Sequence, residues 1–291
     1  MSDENPKLSR RSFLKLLGVL AGEAFLMGVG GMFYSYKLEP GWVEISQVKL
    51  KFKRLGKAFD GFRLLQISDI HMGGWMNAEH FSYVMKLALA QQSDLIAFTG
   101  DFVIYHGGRP IRADVKSDLS DGLKMVEDLP CVGVLGNHDL RSDPGEIRNL
   151  MKKHQILDLT NSVHTIIRGD ERLHICGVDD MLFGQPDLNK VISILPRDGA
   201  AILLSHEPDF ADESAQTGRF DLQISGHSHG GQVVAPIIGP INLPKGGQKY
   251  YSGLYRVGTM LQYTNRGVGM VSPYIRLNCR PEITVYTLQA G

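Results

Sequence analysis

An amide, an imidazole and a carboxylate stand at three consecutive positions, Asn137, His138 and Asp139, directly after Gly136 and an apolar run at 131–135. Core packing does not explain three adjacent polar side chains at the end of a buried strand, because burying one unpaired amide alone costs about 2–7 kcal/mol. Imidazole and carboxylate groups are common ligands of divalent metal ions. The motif therefore predicts that a pair of metal ions and a phosphate meet the chain here.

Similar side chains end four further apolar runs. They are Asp69 and His71 after 62–67, Asp101 after 95–98, His206 after 200–204, and His227 and His229 after 222–224. Ligands of open α/β sheets bind at the carboxyl ends of the strands, so we expect these side chains to project from one edge of one sheet. A lone histidine there is usually a hydrogen-bonded core residue. Five strand ends carrying metal-competent side chains indicate a site instead, because buried charges rarely remain unpaired.

The chemistry of the set indicates two borderline divalent ions, such as manganese, iron or zinc, in preference to calcium. Two such ions close together suit in-line displacement at phosphorus, since they lower the pKa of a shared water and neutralise charge on the phosphoryl oxygens. Asp101 stands alone on its strand, and a position between the two ions would explain this. The residues therefore predict hydrolysis of a phosphoric ester.

The elements that position these residues alternate between strands and helices. Strands are predicted at 43–53, 62–67, 95–98, 131–135, 173–178, 200–204 and 222–224, and helices at 78–91, 119–128, 144–154 and 187–195. This alternation predicts an α/β core with largely parallel pairing. The tail at 250–288 is rich in strand-like segments, which predicts a second, mixed sheet.

Composition limits the classes of function. The 291 residues, 43% of them hydrophobic and 21% charged, are typical of a globular protein with a sizeable core. Basic and acidic residues balance at 31 each, which argues against a sequence-independent nucleic-acid binder, so we expect no nucleic-acid partner. Three cysteines are too few for a disulfide framework. Cys131 and Cys176 are predicted to be buried thiols, and a disulfide through Cys279 stays open.

The N-terminus has the pattern of an export signal. Arg10 and Arg11, followed by Phe13 and Leu14, precede a mildly apolar segment that continues to about residue 36 and is interrupted by Glu23. Consecutive arginines in this position resemble the twin-arginine signal, which implies the twin-arginine export machinery as a partner and a location in the periplasm or cell envelope. We therefore divide the chain into a signal or membrane anchor at 1–38 and one domain at 39–291. Cleavage stays open, and the alternative is an ordinary amphipathic surface helix.

The five motifs together resemble the signature of the calcineurin-like metallophosphoesterases over about residues 62–229. This resemblance implies a two-sheet β-sandwich flanked by helices in four layers, and two divalent ions, with manganese first and zinc or iron as alternatives. It implies Asp69, His71 and His229 as ligands of one ion, Asn137, His206 and His227 as ligands of the other, and Asp101 as a bridge. It further implies that His138 contacts the phosphate and protonates the leaving oxygen, and that Asp139 orients His138.

A narrower resemblance to the YaeI/YkuE-type bacterial phosphodiesterases rests on the arginine pair, on Gly230, Gly231 and Gln232 after the last motif, and on the ending at 276–282. It implies a phosphodiesterase in which a hydroxide between the ions attacks in line and His138 is the general acid. One alternative is a membrane-associated pyrophosphatase on a nucleotide-linked lipid such as UDP-2,3-diacylglucosamine, although an exported location argues against nucleotide-linked substrates. Another is a member of the fold that only binds a partner, but such a protein should have lost ligands.

Overall fold

Two six-stranded sheets lie face to face between layers of helices in the computed structural model, which describes residues 10–291. The strands are β1 (Glu44–Phe52), β2 (Arg63–Ile67), β3 (Leu95–Thr99), β4 (Cys131–Val134), β5 (Ile156–Asp158), β6 (Ser162–Arg168), β7 (Glu171–Gly177), β8 (Ala200–Leu204), β9 (Leu222–Ser225), β10 (Val234–Ala235), β11 (Gly239–Pro240), β12 (Gly253–Val257), β13 (Met260–Thr264) and β14 (Glu282–Ala290). The helices are α1 (Arg10–Phe33), α2 (Ala78–Leu89), α3 (Ala113–Lys124), α4 (Asn137–Ser142), α5 (Pro144–Lys153), α6 (Leu188–Ile194) and α7 (Ala211–Ser214).

The first sheet has the order β1-β14-β2-β3-β4-β5, and the second has the order β12-β13-β9-β8-β7-β6. Pairing is parallel from β2 to β5 in the first sheet and from β13 through β9 and β8 to β7 in the second. The antiparallel pairs are β14 with β2, β12 with β13 and β6 with β7. The predicted fold class, a two-sheet β-sandwich flanked by helices, is confirmed.

Both faces of the central strands are covered, which is why their sequences are continuous apolar runs. Along β2, Leu64 packs between the two sheets, and its neighbour Leu65 packs against the helices on the outer face of the first sheet. Along β3, Leu95 packs between the two sheets and Ile96 packs against the helices on the outer face of the first sheet. A third apolar cluster, which includes Val191 of α6 and Ala211 of α7, covers the outer face of the second sheet.

The expected second, mixed sheet is present, and the tail contributes strands to both sheets, since β12 and β13 extend the second while β14 lies between β1 and β2 in the first. Within the tail, residues 253–264 form a hairpin of the antiparallel strands β12 and β13. Apolar alternation marks a segment as a strand, but it does not identify which distant strand will pair with it.

The three cysteines are buried free thiols. Burial raises the pKa of Cys131 and of Cys176 to about 12, which fits the prediction of inert thiols. Cys279 lies with its Sγ 3.1 Å from the carbonyl oxygen of His229 and forms no disulfide.

The predicted signal falls partly outside the described residues, because the structure describes the chain from Arg10 onward. Arg10 and Arg11 begin α1, and among residues 10–291 no helix has the length and apolar character needed to cross a bilayer. Residues after the helix join the domain. The Ser35 carbonyl accepts a hydrogen bond from the Arg276 N–H, and the buried Glu39 carboxylate accepts from the N–H groups of Asn278 and Cys279. The division at residue 38 stays a prediction.

Candidate metal centre

The predicted ligands meet where the carboxyl ends of the two sheets come together. Asp69, Asp101 and Asn137 follow strands β2, β3 and β4 of the first sheet. His206 follows β8 and His227 follows β9 in the second sheet. The expectation that they project from one sheet was therefore wrong, since the edges of two sheets contribute. Gln66 connects these edges, donating hydrogen bonds from its Nε2 to Thr99 Oγ1 at 2.8 Å and to the Ser225 carbonyl at 2.9 Å.

The first group of ligand atoms consists of Asp69, His71 and His229, and all three side chains are buried. The Nε2 atoms of His71 and His229 face each other at 3.0 Å. Asp69 Oδ1 lies 3.4 Å from His229 Nε2 and 3.9 Å from His71 Nε2. Three inward-facing ligand atoms at these separations can share one cation.

The second group consists of Asn137, His206 and His227. Asn137 Oδ1 lies 3.2 Å from His206 Nε2 and 2.9 Å from His227 Nδ1. The outer nitrogen of each ring donates to a backbone carbonyl, from His206 Nδ1 to Thr99 at 2.7 Å and from His227 Nε2 to Lys245 at 2.9 Å. Such outer hydrogen bonds orient histidines that bind metals and turn the other nitrogen inward.

Asp101 lies between the two groups. Its Oδ2 atom is 3.5 Å from His71 Nε2 in the first group and 3.2 Å from His206 Nε2 in the second. Its Oδ1 atom accepts a hydrogen bond from the His138 N–H at 2.8 Å. One carboxylate can therefore serve both groups, as the lone aspartate on its strand had indicated.

Five of the seven predicted ligands have left-handed backbone conformations, which are uncommon for residues with a side chain. They are Asp69, His71, Asp101, His227 and His229, with φ angles between 51° and 68°. Such conformations cost about 1–3 kcal/mol each and persist where surrounding structure holds them. Here the loops after the strands bind one another, for example through the Asp69 N–H to the Gly100 carbonyl and the His71 N–H to the Asp101 carbonyl.

Two glycines make room for these carboxylates. A Cβ atom on Gly136 would overlap Asp101 Oδ1, and a Cβ atom on Gly226 would overlap Asp69 Oδ2. Gly136 has an ordinary extended conformation with φ −112° and ψ 178°. What this position requires is therefore the absence of a side chain rather than an unusual backbone conformation.

His138 lies beside both groups and is partly exposed. Its ring meets that of His71 edge to face with 4.6 Å between ring centroids. Its Nδ1 atom accepts a hydrogen bond from the Tyr105 N–H at 2.9 Å. In the neutral ring the hydrogen therefore lies on Nε2, which can donate a hydrogen bond into the site.

Asp139 does not orient His138 in the way the resemblance implies. Its carboxylate accepts hydrogen bonds from the N–H groups of Gly136 at 3.0 Å and Val103 at 3.1 Å, and within the described residues it forms no hydrogen bond with the His138 ring. Burial, and then the charge of Asp101, raises the pKa of Asp139 to about 7. Asp139 therefore fixes the backbone on both sides of the site and positions His138 through the start of α4.

Electrostatics favour cation binding in these groups. Burial lowers the pKa of His71 well below its usual range and that of His229 to about 4, so both rings are neutral ligands at pH 7. Burial also lowers the pKa of His227. Within residues 10–291, neither Asp69 nor Asp101 has a lysine or arginine partner. Two buried carboxylates, an amide oxygen and inward-facing imidazole nitrogens thus fit a pair of divalent ions.

A buried carboxyl pair beside the second group was not predicted. Glu207 directly follows His206, and burial, together with the neighbouring Asp180 carboxylate, raises the pKa of Glu207 well above its usual range. Glu207 accepts from the Met181 N–H, and Asp180 accepts from those of Leu182 and Phe183. The pair therefore holds the loop after β7 against His206. Its signal in the sequence was only an acidic residue next to a candidate ligand.

The centre opens into a cleft of about 460 Å³. Asp101, Asn137, His138, His227 and His229 form its polar end. The side chains that line the rest are mainly apolar and come from two loops, with Val233, Ile241 and Pro244 on one side and Val271, Pro273 and Ile275 on the other. A substrate in this cleft would therefore have a charged part at the metal groups and an uncharged part beyond them.

We expect manganese affinity to increase with pH. Burial alone would lower the pKa of His206, but the Asp101 carboxylate raises it well above the usual range, so the ring carries a proton that an entering ion must displace. Release of one proton makes the affinity fall about tenfold per pH unit below that pKa. Calorimetric titration of the metal-free protein with Mn²⁺, in buffers of different ionisation enthalpy, measures the protons released. A binding enthalpy that is the same in every buffer would contradict this assignment.

The chain is similar to several known proteins. The sequence model of the family described as calcineurin-like phosphoesterase matches residues 62–231. The chain is 33% identical over 291 residues to "Uncharacterized metallophosphoesterase YkuE" of Bacillus subtilis, covering 98% of this chain and 99% of that protein. It is 31% identical over 288 residues to "Phosphodiesterase YaeI" of Escherichia coli, covering 97% and 99% respectively. Among solved structures, TT1561 of Thermus thermophilus aligns with 72% of this chain and 90% of its own, at a TM-score of 0.48 and 14% identity.

Proposed function

The chain belongs to the calcineurin-like phosphoesterase family, and we propose that it is a phosphodiesterase that uses two divalent metal ions. The observation that carries the proposal is that Asp101 lies within 3.5 Å of a nitrogen in each ligand group, with the proton-bearing edge of His138 beside them. Ions held there would lower the pKa of a water and neutralise charge on the phosphoryl oxygens.

The chain's own residues would act as follows. Asp69, His71 and His229 would hold one ion, Asn137, His206 and His227 would hold the other, and Asp101 would serve both groups. His138 directs its Nε2 hydrogen at a phosphoryl oxygen and the leaving oxygen, and a ring protonated on both nitrogens gives up the Nε2 proton and remains a neutral imidazole. In the neutral ring the Tyr105 N–H, 2.9 Å from Nδ1, keeps the hydrogen on Nε2, where it faces the substrate.

A diester fits the cleft better than a monoester does. About 460 Å³ extends from the metal groups between two mainly apolar walls, which leaves room for a second substituent on phosphorus. The relative named as a phosphodiesterase, which aligns over nearly its full length, supports the same class.

The apolar end of the cleft also favours a second candidate, a pyrophosphatase on a nucleotide-linked lipid, because a hydrocarbon chain could occupy it. A partner-binding protein without activity is disfavoured, since every predicted ligand is present and His138 lies at the polar end of the cleft beside four of them. Manganese is the ion we propose first, with zinc or iron as alternatives, because the ligands combine imidazole with carboxylate.

Removal of metal is the direct test. We expect chelation to abolish hydrolysis of bis(p-nitrophenyl) phosphate, and added Mn²⁺ to restore it, because the two ions supply the charge neutralisation that the described residues do not. Turnover of a monoester, a nucleotide diphosphate-lipid and a phospholipid on the same manganese-loaded protein then ranks the substrate classes. Hydrolysis that continues after complete removal of metal would refute the proposal.

Location is proposed from the arginine pair. We propose that the chain is exported by the twin-arginine machinery and acts in the bacterial cell envelope, in contact with the membrane through its N-terminus. Replacing Arg10 and Arg11 with lysine keeps the charge, and we expect the protein to remain in the cytoplasm. The matched replacement of Arg54 and Arg63 with lysine should leave export intact. Unchanged export of the Arg10→Lys/Arg11→Lys variant, measured by fractionation, would refute the assignment.

A further inference from the structure

A short hairpin with an exposed apolar tip lies beside the mouth of the cleft. Strands β10 and β11 form it, and its tip carries Ile237, which is completely exposed, and Ile238, which is 79% exposed. Ile241, 61% exposed, follows β11 and also lines the cleft. The apolar surface of the hairpin is therefore continuous with the apolar end of the candidate active site.

No charged residue occurs from 230 to 244, and none occurs in the opposite wall from 267 to 275. Interfaces between soluble proteins usually surround their apolar centre with a polar rim. A projecting, uncharged tip with two isoleucines matches a segment that enters the interfacial region of a lipid bilayer instead. Contiguous exposed apolar surface of this kind commonly marks an interaction site.

The hairpin and the N-terminal segment are fastened to the same short stretch of chain, residues 276–279. On one side of it, the Val234 N–H donates to the Leu277 carbonyl at 2.8 Å, and Asn278 Nδ2 donates to the Val234 carbonyl at 3.0 Å. On the other, the Arg276 N–H donates to the Ser35 carbonyl at 2.9 Å.

Apolar residues on either side of Ser35 are exposed. Met32 is 74% exposed, and Phe33 and Tyr36 are more than half exposed. Two exposed apolar elements that are far apart in sequence thus attach at one place, next to the cleft. A lipid surface can contact both elements at once. A pocket that binds a single peptide side chain would not require two such elements.

We propose that the hairpin at 233–241 docks on a lipid surface, so that the cleft opens onto that surface and receives phosphodiesters that carry hydrocarbon chains. The part that concerns substrates rests on the proposed function, whereas the docking itself does not.

Site-specific labelling tests the docking. The three natural cysteines are buried, so a bimane label on the full-length Ile237→Cys variant is confined to the hairpin tip. With vesicles of phosphatidylethanolamine and phosphatidylglycerol, we expect its emission to shift to the blue and to be quenched by doxyl-labelled lipid. The matched control is Ile167→Cys, since Ile167 is 63% exposed on the edge strand β6 of the second sheet. Equal quenching at both positions, or none at position 237, would overturn the proposal.

Activity provides a second readout. We expect the Ile237→Ser/Ile238→Ser variant to hydrolyse a vesicle-embedded long-chain phosphodiester about tenfold more slowly, because it loses apolar burial in the lipid. Its hydrolysis of soluble bis(p-nitrophenyl) phosphate should not change, and neither rate should change in Ile167→Ser/Ile194→Ser. Equal vesicle rates in the two variants, or a dimer that light scattering finds only with the hairpin isoleucines intact, would overturn the proposal. If the wild-type protein hydrolyses no diester at all, the proposed function is wrong. The quenching experiment still tests whether the hairpin docks on lipid, because it does not depend on activity.

Discussion

Replacing Asp101 with asparagine is expected to lower phosphodiester hydrolysis by at least about 10³-fold. The carboxylate contacts both ligand groups through one oxygen and holds the His138 backbone N–H with the other. Asparagine keeps the size but removes the charge that two adjacent cations require. Metal content, measured by mass spectrometry of the purified variant, should fall below two ions per chain.

The matched control is Asp158→Asn. Asp158 forms an ion pair with Arg148, with 3.0 Å between Asp158 Oδ2 and Arg148 Nε, and this pair does not belong to the ligand groups. Because the ion pair is partly exposed, it contributes little to stability. We expect this variant to keep both its metals and its activity. An Asp101→Asn protein that retains two ions and wild-type turnover would show that Asp101 does not join the groups.

The second large effect is expected at His138. The His138→Ala variant should bind both metals normally but hydrolyse diesters with poor, alkyl leaving groups about 10²–10⁴-fold more slowly. The reason is that His138 is placed to give a proton to the leaving oxygen and belongs to neither ligand group. With p-nitrophenolate, which leaves readily without a proton, the loss should be much smaller.

His80→Ala is the matched control, because His80 stacks on Trp75 with 4.1 Å between ring centroids and belongs to neither ligand group. A loss of metal in His138→Ala would make His138 a ligand. An equal loss of rate for good and poor leaving groups would make it a phosphate-binding residue without a role as an acid.

Much of the site could be predicted because its signals are local. Each predicted ligand follows a mainly apolar run of three to six residues, and the strands after which Asp69, Asp101 and His206 lie were placed within a residue or two of their bounds. Residue type and position at a strand end are properties of a short window, and elementary coordination chemistry then indicates what the set can bind.

The remainder depends on contacts between distant parts of the chain. The sequence could not show that His206 and His227 belong to a different sheet from Asp101, because strand order is fixed by pairing over long separations. It also could not show the left-handed backbone of His71, which exists only because neighbouring loops hold it. Nor could it show that Asp139 acts through the backbone, since its partner Val103 lies 36 positions away.

The division of the ligands between two sheets also sets the order of events when the chain folds. Each group needs both sheets, and the first sheet is complete only when β14, the last strand of the described chain, has entered it between β1 and β2. A chain in which β14 has not yet entered the sheet therefore lacks the completed first sheet, after whose strands Asp69, Asp101 and Asn137 lie. High metal affinity should appear as one of the last steps of refolding, so the ions stabilise a finished fold rather than nucleate it.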